Sequence, residues 1–324
     1  MAKAIRIHDY GGPEALVLDD VEIGAPGAGE ALVRHTAVGL NFIDTYHRSG
    51  LYKLPQLPHT LGVEGAGIIE AVGDGVTDFA PGDRIAYGSG IGSYCELRVM
   101  DASRLVKLPD EVSDEQAAAM MLQGMTARYL VRRTHRIEAG ETVLIHAAAG
   151  GVGLIFCQWA KHLGATVIGT VSSDEKAALA QKHGCDHTIV YTRENFVERV
   201  AELTGGAGVP VVYDSVGQDT WEGSLDCLQP LGLMVSFGNA SGPAPAFTVL
   251  DLMRHGSLFV TRPVLAHHIG TREDLMETVD DLFAVVASGA VKIEVNQRYD
   301  LAEAEQAHRD LEARRTTGST ILIP

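Results

Sequence analysis

The chain has 324 residues, a formal charge of −16, and 46% hydrophobic against 21% charged residues. That length predicts about two domains. The apolar content excludes a disordered chain, and the acidity argues against a broad nucleic-acid face, because phosphate binding needs a basic surface. Cys95, Cys157, Cys185 and Cys227 lie far apart with no C-x-x-C pair, which excludes a zinc ribbon and leaves a disulfide framework unexpected. The opening Met-Ala-Lys-Ala-Ile-Arg-Ile reads as a strand rather than a signal-peptide core, so the cytosol is the expected compartment.

Short strands are predicted in the first part of the chain at 4–8, 30–38, 66–72, 83–87 and 93–100. Gly11-Gly12-Pro13, Ala25-Pro26-Gly27, Gly73-Asp74-Gly75 and Pro81-Gly82-Asp83 punctuate them. This pattern predicts a small β-rich barrel. Ser113-Asp114-Glu115-Gln116 has capping-box spacing and predicts a helix start, and a second helical run is predicted over 125–134.

The stretch 141–171 then carries a strand, a turn, a helix and a second strand in order. Val143 to His146 is a short apolar run, Ala148 to Gly153 a small-residue turn, and Val152 to Leu163 an apolar pattern at helical spacing closed by Gly164. Thr166 to Val171 is rich in β-branched residues. Gly150 and Gly151 are expected to allow a sharp turn and close approach to a ligand, and Gly153 to let the helix pack on the strand. A helix start of this kind favours an anion, usually a dinucleotide pyrophosphate. The strict G-x-G-x-x-G is not met, because Ala148 stands at its first glycine. Thr142 to Ala160 holds no charged residue, about the length of a membrane span, but adjacent glycines, His146 and Gln158 interrupt it, so a buried strand and helix are expected.

Helices predicted at 174–183, 194–203, 220–228 and 249–255 alternate with strands at 187–191, 210–214, 232–238 and 257–262, which predicts a doubly wound parallel sheet and an α/β class. A long helix at 272–287, a strand at 294–299, a helix at 302–314 and a strand at 319–323 follow. An NAD enzyme usually places an acid about twenty residues past the glycine turn. Asp174 falls near that count and leaves NAD open. Reading Ser173 as an N-cap makes Asp174 and Glu175 first-turn helix residues instead.

The run Gly140-Glu141-x-x-Leu144-x-x-x-Ala148-Ala149-Gly150-Gly151-x-Gly153-x-x-x-x-Gln158-x-x-Lys161 resembles the signature of the quinone oxidoreductase and zeta-crystallin group of zinc-free medium-chain dehydrogenase/reductases. The resemblance extends over nearly the whole chain and is strongest to the bacterial NADPH:quinone oxidoreductases. It implies a GroES-like catalytic domain over 1–124 and 266–324 and a Rossmann domain over 125–265. It implies NADPH as cofactor, with Lys176 and Tyr191 at positions that hold the 2′-phosphate and Ser172 at the end of the second strand. Asn41 and Thr126 match neighbours of the nicotinamide, and Gly150, Gly151, Val152 and Gly153 the pyrophosphate turn. Ser215 and Gly217, then Phe237, Gly238 and Asn239, then Phe259, Val260 and Arg262 lie at strand ends that line the ligand crevice in such sheets. Arg314 matches a phosphate or ribose contact, or is a helix-end cation. Gln123 departs from a lysine common in these relatives, which removes a charge there.

Zinc-dependent relatives use a cysteine near Asn41 and a Gly-His-Glu motif, where this chain has Gly62-Val63-Glu64. Valine cannot ligate a metal and asparagine is a poor substitute for a thiolate. Without a Lewis acid an unactivated alcohol is a poor hydride donor, so an electrophilic acceptor such as a quinone fits better. Asn41, Tyr46 and Tyr52 are the candidate acceptor-binding and catalytic residues, with Asp44 expected to make an internal hydrogen bond. An NADPH-dependent enal or enone reductase, and a non-catalytic NADPH-binding or RNA-binding protein, are the alternatives. The resemblance also implies a homodimer through an edge strand near Ser257 to Arg262.

Overall fold

The computed structural model describes the whole chain, Met1–Pro324. Strands β1 (Ala2–Ile7), β2 (Leu16–Val21) and β3 (Glu30–Leu40) lead to helix α1 (Phe42–Ser49). Then come β4 (His59–Thr60), β5 (Glu64–Val72), β6 (Arg84–Tyr87), β7 (Leu97–Asp101) and β8 (Val106–Lys107). Helices α2 (Asp114–Ala118) and α3 (Met121–Tyr129) follow, the latter continued by a π-helical turn at Leu130–Thr134. The next stretch alternates β9 (Thr142–Ile145), α4 (Gly151–His162), β10 (Thr166–Val171), α5 (Asp174–Lys182), β11 (His187–Val190), α6 (Phe196–Leu203), β12 (Val209–Asp214), α7 (Trp221–Asp226), β13 (Leu228–Ser236), α8 (Val249–Arg254) and β14 (Phe259–Thr261). Helices α9 (Leu265–His268) and α10 (Arg272–Ala287), strand β15 (Val295–Asp300), helix α11 (Ala304–Glu312) and strand β16 (Ser319–Ile323) end the chain.

Two compact units form, Met1–Met125 with Gly270–Val279 and Ile293–Pro324, and Thr126–Ile269 with Asp280–Lys292. Residues 266–269 and 280–292 thus group with the second unit, although the tail from 266 on is assigned above to the first. Asp281 pairs there with Arg128 at 3.1 Å and Arg132 at 3.6 Å, and Lys292 N donates to Gln158 Oε1 at 2.9 Å.

The first unit is GroES-like. Its main sheet runs β15-β16-β3-β5-β6-β8 with β7 on β3, and a second sheet runs β2-β1-β4. Strand β3 pairs with β5, β7 and β16, and register shifts at Leu32/Val33 and His35/Ala37 let so long a strand bend around the core. One core gathers Ile5, Ile7, Val38, Leu40, Leu61 and Leu322. The other gathers Val33, Ile69, Ile85, Tyr87 and Leu105.

The second unit is a Rossmann sheet in the order β11-β10-β9-β12-β13-β14, every pairing parallel. Val143, Leu144 and Ile145 of β9 are buried without alternation, as a strand covered on both faces requires. The chain order reverses between β9 and β12, the switch point where such sheets bind ligands beyond their strand C-termini.

Three local expectations are corrected. A strand forms at Leu16–Val21, where none is expected above: Val17 and Leu18 are exposed, and backbone pairing with β1 holds the segment. Residues 93–96 are not in β7, which starts at Leu97. The run expected from 125 begins at Met121.

Candidate active site

Asn41 ends the rise of β3 and caps helix α1. Sequence reading missed this helix for a physical reason. Its buried residues are the consecutive run Asp44, Thr45, Tyr46, His47 and Arg48, which covers the whole circumference of the helix and is mostly polar, so their burial leaves no apolar signal in the sequence. Asp44 Oδ2 accepts the Asn41 N–H at 2.8 Å and the Tyr94 hydroxyl at 2.8 Å. The expected internal hydrogen bond of Asp44 is therefore present. Oδ1 is buried without a partner, which suits a proton better than a charge. Burial pushes the Asp44 carboxyl up to about 7, against the pull of those two donors.

The bonds behind Asp44 have a fixed direction. Arg48 Nη1 lies 2.8 Å from His308 Nδ1, and guanidinium can only donate, so Nδ1 accepts. His308 Nε2 therefore carries the hydrogen and donates to the Tyr94 oxygen at 3.3 Å, which frees the Tyr94 O–H for Asp44. Burial first, then the Arg48 charge, holds His308 neutral, down to about 3. Glu312 accepts from Arg48 Nη2 at 2.7 Å.

The Asn41 side chain is held from two sides. Its Nδ2 donates to Glu64 Oε1 at 2.5 Å, and its Oδ1 accepts from Gln123 Nε2 at 3.0 Å. Glu64 is fully buried, and burial pushes its carboxyl up to about 8. Gln123, where a cation was in question, is thus a buried amide partner of Asn41. No group of three His, Cys, Asp or Glu side chains is arranged to hold a metal. Tyr46, nearly buried, and half-buried Tyr52 meet edge-on with ring centroids 5.3 Å apart, tied by the bond from Tyr52 N to Tyr46 O at 3.0 Å. Arg314, beyond α11, lies in this unit with φ 58, a left-handed residue closing a helix where glycine is usual.

In the second unit the glycine turn follows β9. The left-handed residue is Ala147, at φ 55, and not a glycine. Gly150 is the extended N-cap of α4, with ordinary dihedrals. The glycines serve close approach instead. A Cβ on Gly153 would stand 2.4 Å from the Ala147 carbonyl oxygen. Val152 sits in the first turn of α4, whose leading N–H groups have no intrahelical acceptors. Such a glycine-lined helix start fits a pyrophosphate.

At the ends of β10 and β11, Ser172, Lys176 and Tyr191 lie close in the fold: Tyr191 N donates to Val171 O at 3.1 Å and Thr192 Oγ1 to Ser172 O at 3.2 Å. Ser173 caps α5 by accepting from Lys176 N at 3.3 Å. Asp174, the residue that left NAD open, is engaged by both guanidinium nitrogens of Arg193, at 2.5 and 2.8 Å. Arg193 went unrecognised in the sequence, since only the fold brings it to α5.

Ser215 and Gly217 follow β12 in a loop that Asp214 holds from beneath. Asp214 Oδ1 accepts N–H bonds from Val216 and Gly217 at 2.7 and 2.9 Å, and Oδ2 accepts Thr220 and Ser224 hydroxyls. A Cβ on Gly238 would stand 2.4 Å from Ser215 O, so Phe237, Gly238 and Asn239 pass directly over that loop. Arg262 Nη1 donates to Ser236 O at 3.0 Å. Phe259 and Val260 lie on β14, the outer strand, where Phe259 is 61% exposed. Thr126 is nearly buried in α3.

Residues 27–110 match the family described as alcohol dehydrogenase GroES-like domain, and residues 151–283 that described as zinc-binding dehydrogenase. A quinone oxidoreductase of Pseudomonas aeruginosa is 57% identical, with each chain covered completely. The chain belongs to the quinone oxidoreductase group of zinc-free medium-chain dehydrogenase/reductases. A solved Escherichia coli quinone oxidoreductase complexed with NADPH superposes with a TM-score of 0.98 at 50% identity, each chain covered completely. A 2-haloacrylate reductase of Burkholderia sp is 46% identical over 100% of this chain and 99% of its own. Within this family, described by a zinc-binding name, the present chain carries Asn41 and Val63 at the ligand positions identified above.

Proposed function

We propose that the chain is an NADPH-dependent quinone reductase that works without a metal. The observation that carries this reading is the Asn41 amide held between Glu64 and Gln123, a hydrogen-bonding group at a position where zinc relatives place a ligand. The glycine-lined turn before α4 would hold the pyrophosphate through Gly150, Gly151, Val152 and Gly153. Lys176, with Ser172 and Tyr191, would bind the 2′-phosphate, and Arg193, paired with ionised Asp174 at the surface, offsets part of the charge of that nearby acid. Thr126 and Asn41 are assigned to the nicotinamide end. The loops at Ser215–Gly217 and Phe237–Asn239, with Phe259, Val260 and Arg262, are assigned to the rest of the cofactor, and Arg314 to a phosphate or ribose.

Bound NADPH supplies a hydride, hence two electrons, to the acceptor. The protein's part is orientation and charge stabilisation: amide and tyrosine hydroxyl donors of Asn41, Tyr46 and Tyr52 hold the acceptor carbonyl and stabilise the oxyanion that forms. A proton then completes the hydroquinone. The likeness to a 2-haloacrylate reductase favours one second reading, reduction of an activated carbon–carbon double bond by the same cofactor. The compartment is proposed to be the cytosol. The apolar, exposed edge of β14 is proposed to pair with its copy in a homodimer around Ser257 to Arg262. The deciding experiment is oxidation of NADPH, with NADH in parallel, against benzoquinone, a bulkier ortho-quinone and a short enal. NADPH-selective turnover of a quinone supports the reading; turnover of the enal alone transfers it to the second, and silence with every acceptor refutes both.

A further inference from the structure

Asn41 stands in a row of side chains whose hydrogen bonds can run in two directions. One end is fixed, since the Leu122 backbone N–H can only donate and does so to Glu64 Oε2 at 2.7 Å. From the other oxygen the row continues through Asn41 and Gln123 to Ser319, whose hydroxyl donates to Gln123 Oε1 at 2.7 Å. Beyond Glu64 every member is an amide or a hydroxyl and carries both a donor and an acceptor. A half-turn of both amides with reversal of the hydroxyl therefore reverses the row and leaves each member partnered. Glu64 alone cannot follow without changing its proton count. As a carboxylate it accepts from Asn41 Nδ2. As an acid protonated on Oε1 it must donate, and the Asn41 amide must turn its oxygen to receive.

We propose that Glu64 is a proton-operated positioning residue for acceptor binding: gain or loss of its proton reverses the Glu64–Asn41–Gln123–Ser319 row and redirects the second amide N–H of Asn41. The link to the acceptor rests on the reading of Asn41 given above; the reversal itself does not. Burial, opposed by the Asn41 and Leu122 donors and assisted by Asp44, holds Glu64 up to about 8, so both states are accessible near neutrality. The titratable group facing Glu64 is Asp44 on α1. Behind Asp44 stand Tyr94, neutral His308 on α11 and the cation Arg48.

The chain has four asparagines, Asn41, Asn195, Asn239 and Asn296, so the side-chain amide of Asn41 can be followed by NMR in protein carrying 15N-asparagine. In the wild type its signals should move with pH through one midpoint. In Glu64→Gln they should stay constant, because the new amide donates to Asn41 permanently. In Gln123→Lys the ammonium can only donate, which fixes Asn41 Oδ1 as acceptor and favours the Glu64 carboxylate, so the midpoint should fall by roughly 1–3 pH units. The KM for benzoquinone should change severalfold through the wild-type midpoint while the Kd for NADPH stays level, and Glu64→Gln should remove that change. An amide that does not titrate, or titrates unchanged in Glu64→Gln, overturns the proposal. So does a titrating amide with a level KM. Should Glu64→Gln not fold, an unmoved or raised midpoint in Gln123→Lys overturns it alone. Absence of quinone turnover in the wild type would sink the functional reading instead, with the amide titration still deciding the reversal.

Discussion

Two buried acids should give this protein a fold that weakens on the alkaline side of neutrality. Folding raises Asp44 from 3.8 to about 7 and Glu64 from 4.5 to about 8. Between those limits the folded state holds protons that the unfolded chain has released. Stability from this source is complete below the ordinary values and lost as pH rises through the folded ones. Buried histidines act oppositely. His35 and His47 are held down to about 4 and His308 to about 3, so they cost stability as pH falls through 6.5; at 6.5 the unfolded chain still half-protonates each, and about 0.4 kcal/mol per histidine returns as pH rises to about 8. From about pH 6.5 to about pH 9 the acids as a pair remove about 3 kcal/mol, about 2 of it from Glu64, and the three histidines return about 1, a net loss of about 2 kcal/mol. Both tryptophans, Trp159 and Trp221, lie in the second unit, so their fluorescence is the wrong probe. Hydrogen exchange over β3 and α1, corrected for intrinsic rates, is the right one. Protection should fall roughly ten- to thirtyfold across that range, and stay about level in Glu64→Gln. An equal fall in both proteins would refute the assignment of the alkaline limb to Glu64.

Lys176→Ala should weaken NADPH by roughly ten- to a hundredfold, the loss of one charge-assisted hydrogen bond, with NADH little affected; an unchanged preference in titrations with both cofactors removes Lys176 from the phosphate site. Tyr46→Phe combined with Tyr52→Phe should lower turnover while NADPH binding persists, and unaltered steady-state kinetics would remove both from the mechanism. Gly153→Ala places a Cβ 2.4 Å from a backbone oxygen that cannot swing aside, so α4 must shift. A loss of about 1–3 kcal/mol in stability is expected, together with weaker NADPH binding, and thermal melts with and without cofactor check both.

The second unit is legible in the sequence because its strands are buried on both faces and its helices alternate with them. Val143 to Ile145 and Thr166 to Val171 announce themselves as apolar runs, and Gly153 marks a close approach that the fold requires. The first unit is less legible where polar groups are buried. Helix α1 buries Asp44, His47 and Arg48, polar residues that a search for apolar core positions passes over. Partners such as His308 lie some 260 residues from Arg48, and spacing carries no trace of that contact. The turn after β9 shows a finer failure. Glycines draw the eye, yet the left-handed conformation falls on Ala147, which nothing in a glycine pattern would select.

The same burial sets the charge state of Glu64 in this chain. A carboxylate as deep as Glu64 must be paired with a cation or surrender its charge. In this chain valine precedes it in Gly62-Val63-Glu64, and its neighbours are the Asn41 amide, the Leu122 N–H and the second acid Asp44. Two hydrogen bonds offset only part of the burial, so the carboxyl compensates by taking up a proton near neutrality. The Asn41 amide beside it, able to donate or accept, is the side chain suited to both states of that carboxyl.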